Sequence, residues 1–254
     1  MRRIIGSHLI PTLLLVALLA SVALNLIFFA QSRQYYLQLN ETRLDPLGLS
    51  SYSPDTLQYT ANSDKTMVIF FGDSRAADWP PPDLARFEFV NRGIGAQTSA
   101  QAFQRFDYQL RPLHPQVVLV QVGINDLKTI PLFPERKEAI IASCQNNIQH
   151  IVTQSVDDGA IVILTTIFPI GEVPLERQPF WAPDVAKAIS EVNIFIRSLE
   201  AQNVIILDAY SILADENGTM QDEYAQDTLH LNTAGYAALN RYLLPILRDK
   251  IPGR

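Results

Sequence analysis

Cysteine is nearly absent from this chain. With Cys144 alone, neither an intramolecular disulfide framework nor a Cys-rich zinc site can be built. Histidine is scarce as well, with four in 254 residues. Nor is there a basic stripe: 20 Lys and Arg stand against 26 Asp and Glu, and nothing offers the cationic surface that neutralises nucleic-acid phosphates. A nucleic-acid partner is excluded on that ground. No internal repeat or low-complexity block interrupts the sequence. Its 48% apolar content and formal charge of −6 are not those of a disordered chain. The length suffices for one sizeable core, while two domains, at roughly 100–200 residues each, are allowed but not required.

Charge is missing altogether from Leu9 to Ala30, where only Pro11, Thr12, Ser21 and Asn25 interrupt the apolar residues. About 20 such residues span the hydrocarbon of a bilayer. Arg2 and Arg3 precede the run, which keeps the N-terminus cytoplasmic and exports the rest of the chain to the periplasm or the cell exterior. A cleaved signal peptide competes with this reading and would leave a secreted protein. Ser21-Val22-Ala23 has suitably small residues, but cutting there leaves LNLIFFA at the new terminus, and Phe28 spoils a site at Ala30. The run also exceeds the usual 7–15 residue signal core. Residues 1–30 therefore read as an uncleaved signal anchor, 31–65 as a polar stem with Pro46, Gly48 and Pro54, and 66–254 as the exported domain. Beyond residue 30 the charge is −8, so the domain is not drawn to anionic membrane surfaces.

From Met67 onward, short β-like runs alternate with amphipathic stretches. Met67–Gly72, Glu88–Asn91, Gln116–Gly123, Ala160–Thr166 and Asn203–Asp208 read as strands, the third rich enough in Val to be buried on both faces. Thr98–Leu110, Pro134–Val156, Asp184–Glu200 and Thr233–Arg248 read as helices. This alternation predicts one α/β domain with a parallel sheet of about five strands and helices on both faces.

Ligands of open parallel sheets bind beyond the carboxyl ends of the strands. Those ends carry Gly72-Asp73-Ser74, Asn91-Arg-Gly-Ile-Gly-Ala-Gln-Thr98, Gly123-Ile-Asn125-Asp126 and, before the last helix, Asp227-Thr-Leu-His230. The same rule sorts the histidines. His8 precedes the membrane segment, His114 lies at the opposite edge of the sheet, and His150 is mid-helix, which leaves His230 to meet Ser74. A serine hydroxyl needs a base to take its proton, and imidazole suits neutral pH. Asp227, three residues before His230, can fix the tautomer and stabilise the cation. Backbone N–H groups at Ser74 and the Gly95-Ala96 turn, with the Asn125 amide, can receive the oxyanion of acyl transfer.

Together these residues resemble the four sequence blocks of the SGNH (GDSL-type) hydrolases, from about Met67 to Arg248. The resemblance implies a three-layer α/β/α, flavodoxin-like fold and hydrolysis of esters or thioesters through an acyl-serine, with no metal or organic cofactor. It assigns Ser74 as nucleophile, His230 as general base, Asp227 as its orienting partner and Asn125 as an oxyanion donor. Aligned on Asn91, the family's oxyanion glycine falls on Ala96, with Gly95 one residue before it; either N–H can be the donor. Asp73 and Asp126 read as supports that hold their loops by hydrogen bonds. Arg75 is open to two readings, contact with an anionic substrate group or a structural role. In the long connection Ile167–Asp184, Phe180 and Trp181 either wall the substrate pocket or pack the loop down; Cys144 reads as a small core residue. The functional expectation is a membrane-anchored serine esterase acting on glycan or lipid acyl esters, O-acetyl esters among them. An acyltransferase acting on envelope sugars and a non-catalytic binding or assembly module are the alternatives.

Overall fold

The structure, a computed structural model, describes residues 5–52, 64–175, 177–178, 181 and 183–251. It divides into two units, one ending at Gly48 and one beginning at Leu49.

The first unit is a single helix, α1 (Ile5–Leu44), 40 residues long and so about 60 Å from end to end. Its apolar side chains from Leu9 to Phe29 are exposed, and with an 18-residue stretch of mean hydropathy 2.7 it is long and apolar enough to cross a membrane. The helix does not end with the apolar run. Gln31–Leu44, expected as stem, continues it, because Gln, Leu, Arg and Glu favour helix and no Gly or Pro intervenes. Pro46 then bars the helical conformation to the residue before it, and Gly48 turns at φ +66. Tyr52, also within the expected stem, belongs to the second unit: its hydroxyl donates to the Gly93 carbonyl and its ring lies under Arg92.

The second unit is built on five parallel strands, β1 (Thr66–Gly72), β2 (Phe87–Gly93), β3 (Val117–Gln121), β4 (Ile161–Thr165) and β5 (Val204–Leu207), in the order β2-β1-β3-β4-β5. That is the doubly wound order in which the chain reverses direction beside β1, opening a crevice between the ends of β1 and β3. Among the described residues its α-helices are α2 (Ser74–Ala77), α3 (Ser99–Gln104), α4 (Phe106–Gln109), α5 (Ile124–Leu127), α6 (Lys137–Asp157), α7 (Asp184–Ser198), α8 (Ala209–Leu213) and α9 (Thr233–Pro245).

Strand side chains alternate between faces, and the core follows that period of two. Ile69, Phe71, Val118, Val120 and Val162 pack with Ile148 and Ile151 of α6 and Val192 and Ile196 of α7. Val68, Phe70, Val117, Leu119 and Ile163 pack on the other face with Leu213 of α8 and Leu239 and Leu243 of α9. Both faces are thus covered, giving the expected three layers. Three helical expectations change in detail. Thr98–Leu110 is split at Arg105, whose φ of −90° and ψ of 0° interrupt the helix. Pro134–Arg136 is a 3-10 turn leading into α6. The last helix widens into a π turn at Ile246–Lys250, directly after Pro245, which has no N–H to give to the α-helical ladder.

Candidate active site

β1 ends on Gly72 at φ +150, where a Cβ would come within 1.7 Å of the Gln121 carbonyl oxygen on β3; only glycine fits there. The next residue, Asp73, caps α2 by accepting the Arg75 N–H at 2.9 Å. Ser74 is therefore the first residue of a short helix at the carboxyl edge of the sheet. Asn91 braces this turn from β2, donating to the carbonyls of Ala76 and Ala77. Gly93 lets the two segments meet, since a Cβ there would lie 2.1 Å from the Ala77 nitrogen.

His230 arrives from the loop before α9. Its Nε2 lies 3.1 Å from Ser74 Oγ, and its Nδ1 lies 2.9 and 3.1 Å from the two Asp227 carboxylate oxygens. A carboxylate accepts only, so Nδ1 carries the proton and Nε2 accepts from the serine hydroxyl. Asp227 is itself fixed, for its Oδ1 takes the backbone N–H groups of Leu229 and His230 at 2.7 and 2.8 Å. Partial burial pushes the Asp227 carboxyl up, but the Leu229 N–H and the His230 ring and N–H outweigh it and hold it below the ordinary value. Asn232 closes the loop by capping α9.

Donors for an oxyanion converge on the same place. Asn125, buried on α5, gives one amide hydrogen to the Gln97 carbonyl at 2.9 Å and keeps the other. Among the described residues, the N–H groups of Ser74, Gly95 and Ala96 have no protein acceptor. Ala96 stands at φ +62, in the left-handed region, whereas Gly95 has open space where a Cβ would sit. These residues line one open pocket of about 290 Å³, with Ile124, Lys128 and Leu229.

The supporting residues separate cleanly. Asp126 is buried and accepts the N–H and hydroxyl of Ser99 at 2.8 and 2.6 Å, tying the Asn125 loop to the start of α3. Asp73 is wholly buried, and desolvation lifts its pKa to about 6. Arg75 is among the residues lining the pocket, and of its two readings the contacts of its guanidinium are those of the structural one. Its guanidinium is buried over the Phe168 ring and donates to the carbonyls of Leu229, Phe168 and Pro169, which joins three loops of the site. Trp181 is packed against the core and is not part of the pocket lining, and Phe180 lies outside the described residues. The long connection instead braces the histidine loop, through Gly171 N–H to the Thr228 carbonyl and Thr228 Oγ1 to the Glu172 carbonyl. Cys144 is buried in the core.

Two residues escaped the sequence reading. Arg105 is buried beneath the site and donates to the Gly72 carbonyl, the Gln97 side chain and the Gln109 side chain. Lys128 stands in the pocket lining three residues after Asn125, a spacing that puts both on one side of a helical turn.

Residues 59–238 match the GDSL-like Lipase/Acylhydrolase family. No curated protein sequence matches the chain. Among solved structures it is similar to a GDSL-like lipase from Bacteroides thetaiotaomicron, with 20% identity over 80% of this chain and 98% of that one and a TM-score of 0.62. It is similar also to an acetyl xylan esterase (20% identity, 71% and 99% of the two chains, TM-score 0.56). A lipase/acylhydrolase from Enterococcus faecalis is a third (19% identity, 75% and 98%, TM-score 0.56). At these identities the likeness concerns the fold.

Proposed function

The chain belongs to the GDSL-like lipase/acylhydrolase family and is an ester hydrolase; from that premise we propose that it cleaves short acyl esters through an acyl-serine formed on Ser74. His230 Nε2 takes the hydroxyl proton as Oγ attacks the ester carbonyl, and Asp227 stabilises the imidazolium that results. The carbonyl oxygen becomes an oxyanion facing the Ser74 N–H, the Gly95-Ala96 turn and the Asn125 amide. As the intermediate collapses, the C–O bond breaks and His230 returns its proton to the leaving alcohol. Water, deprotonated by the same imidazole, then attacks the acyl-serine; the acid leaves and Ser74 is restored. The observation that carries this reading is the unbroken Ser74–His230–Asp227 relay, with contacts of 3.1 and 2.9 Å.

Two observations favour a short acyl group, acetyl included. The pocket of about 290 Å³ is at the low end of the ~300–1,000 Å³ of ligand sites. Of the aromatic residues expected to wall the pocket, Trp181 is packed onto the core and takes no part in the lining. The fold shared with an acetyl xylan esterase is in keeping with a carbohydrate ester. The exposed apolar surface of α1, after Arg2 and Arg3, supports anchoring of residues 66–254 on the non-cytoplasmic face of a membrane.

Incubation of the full chain with a fluorophosphonate probe, beside 4-nitrophenyl acetate and decanoate, tests the mechanism. Ser74→Ala and His230→Ala are expected to abolish labelling and to lower kcat by roughly 10⁴–10⁶. The acetate is expected to be the better substrate. Labelling that survives in Ser74→Ala would place the nucleophile elsewhere.

A further inference from the structure

Three cationic or basic side chains belong to residues lining the pocket around Ser74: His230, Arg75 and Lys128. His230 is engaged by Ser74 and Asp227, and the Arg75 guanidinium is turned inward onto three carbonyls. Lys128 differs from both. It follows the last turn of α5, is only partly exposed, and shares the pocket wall with Asn125, Ala96 and Ile124. Among the described residues its ammonium makes no hydrogen bond and no ion pair.

An ammonium offers three donors and a full charge, and holding it partly out of water without a partner costs free energy. Burial lowers the Lys128 pKa; the attraction of Asp73 opposes that shift and the repulsion of Arg75 adds to it. Neither of those two groups is hydrogen-bonded to Lys128: the Arg75 guanidinium donates to carbonyls, and Asp73 caps α2 with one oxygen while its other, buried oxygen has no partner. An anion brought into the pocket by the substrate supplies what is missing, as a charge-assisted hydrogen bond beside the oxyanion donors.

We propose that Lys128 determines specificity by binding a carboxylate, sulfate or phosphate carried by the ester substrate. The inference rests on the ester-hydrolase reading above and narrows its substrates to anionic esters. The anion sits either on the acyl side, as in the half-ester of a dicarboxylic acid, or on the alcohol side, as in an acylated acidic sugar.

Matched ester pairs separate these cases in the full chain, kept in dodecyl maltoside micelles. Mono-4-nitrophenyl adipate is compared with 4-nitrophenyl hexanoate for the acyl side, and 4-acetoxybenzoate with its methyl ester for the alcohol side. In Lys128→Met the anionic-to-neutral ratio of kcat/KM is expected to fall about tenfold for one pair, the scale of one charge-assisted hydrogen bond. The fall is expected chiefly in KM, to be partly rescued by Lys128→Arg, and to shrink as salt is added. The pair that responds identifies the side bearing the anion. Ratios that stay within twofold in both pairs, while the esters still turn over, overturn the inference and leave the hydrolase reading intact. Absence of turnover and labelling in the parent chain sinks the hydrolase reading instead. Calorimetric titration of Ser74→Ala with 4-acetoxybenzoate and with the adipate half-ester, with and without Lys128→Met, then reads Lys128 alone. Equal affinities for both anions in the two backgrounds overturn the proposal.

Discussion

Asp73 sits directly before the nucleophile, with one oxygen capping α2 and Oδ2 without a hydrogen-bond partner in a fully buried setting. Its pKa is lifted from 3.8 to about 6 by desolvation, against the pull of Arg75. Between about pH 4 and 6 the folded chain therefore holds more protons than the unfolded one, and stability falls as pH rises through that window. Above it the full cost, roughly 3 kcal/mol, is present. Asp73→Asn keeps a capping oxygen and removes the charge. Its melting temperature is expected to vary less with pH between 4 and 6, and at pH 7 it gains roughly 1–3 kcal/mol over the parent. Thermal melts from pH 4 to 8 check this, and curves running parallel for the two proteins would refute it. Ser74, Asn125, Asp227 and His230 were legible because their chemistry is marked by side-chain type and by position at strand ends. Lys128 and Arg105 were not, since a lone cation in a loop or a helical stretch reads as solvated until burial, a tertiary property, is known.

The turn between β2 and α3 has its two residues in an unexpected order. Ala96 takes the left-handed conformation that suits glycine, while Gly95 beside it has room for a side chain and does not need its freedom. A left-handed L-residue is strained by roughly 1–2 kcal/mol, and a glycine loses about 0.4–1 kcal/mol more chain entropy on folding. Ala96→Gly is thus expected to stabilise by up to about 1 kcal/mol and Gly95→Ala by about 0.5 kcal/mol, as read from urea unfolding. A loss of stability in Ala96→Gly would show that the turn is unstrained. Alignment on Asn91 already placed the glycine position of the resembled family on Ala96. The break at Arg105 was not visible, because the apolar spacing of Ala102, Phe106 and Leu110 is continuous through it. What accompanies the break is the set of bonds from Arg105 to Gly72, Gln97 and Gln109, only the last of which is a local neighbour.

Over the whole molecule, alternating apolar runs were enough to predict a parallel sheet with helices on both faces. The strand order is a different kind of information, for it depends on which way each crossover returns. It brings Ser74 and Asn125 to the ends of neighbouring strands β1 and β3, across the point where the chain reverses direction. β2 was the weakest strand in sequence and is an edge strand, yet it pairs along all seven residues of β1. Insertion of α1 predicts that the full chain stays with membranes through an alkaline carbonate wash and keeps its N-terminal residues. A washed-out protein beginning beyond Ala23, found by mass spectrometry, would mean a cleaved signal instead. If the anchor holds, Gln31–Leu44 adds about 21 Å of continuous helix beyond the apolar stretch. A catalyst fixed in this way diffuses in two dimensions, and its encounters depend on how densely ester groups are spread over the membrane or the layer next to it. Its working substrate concentration is then a number per unit area, and turnover measured in free solution describes the chemistry of the site while leaving out the geometry of its supply.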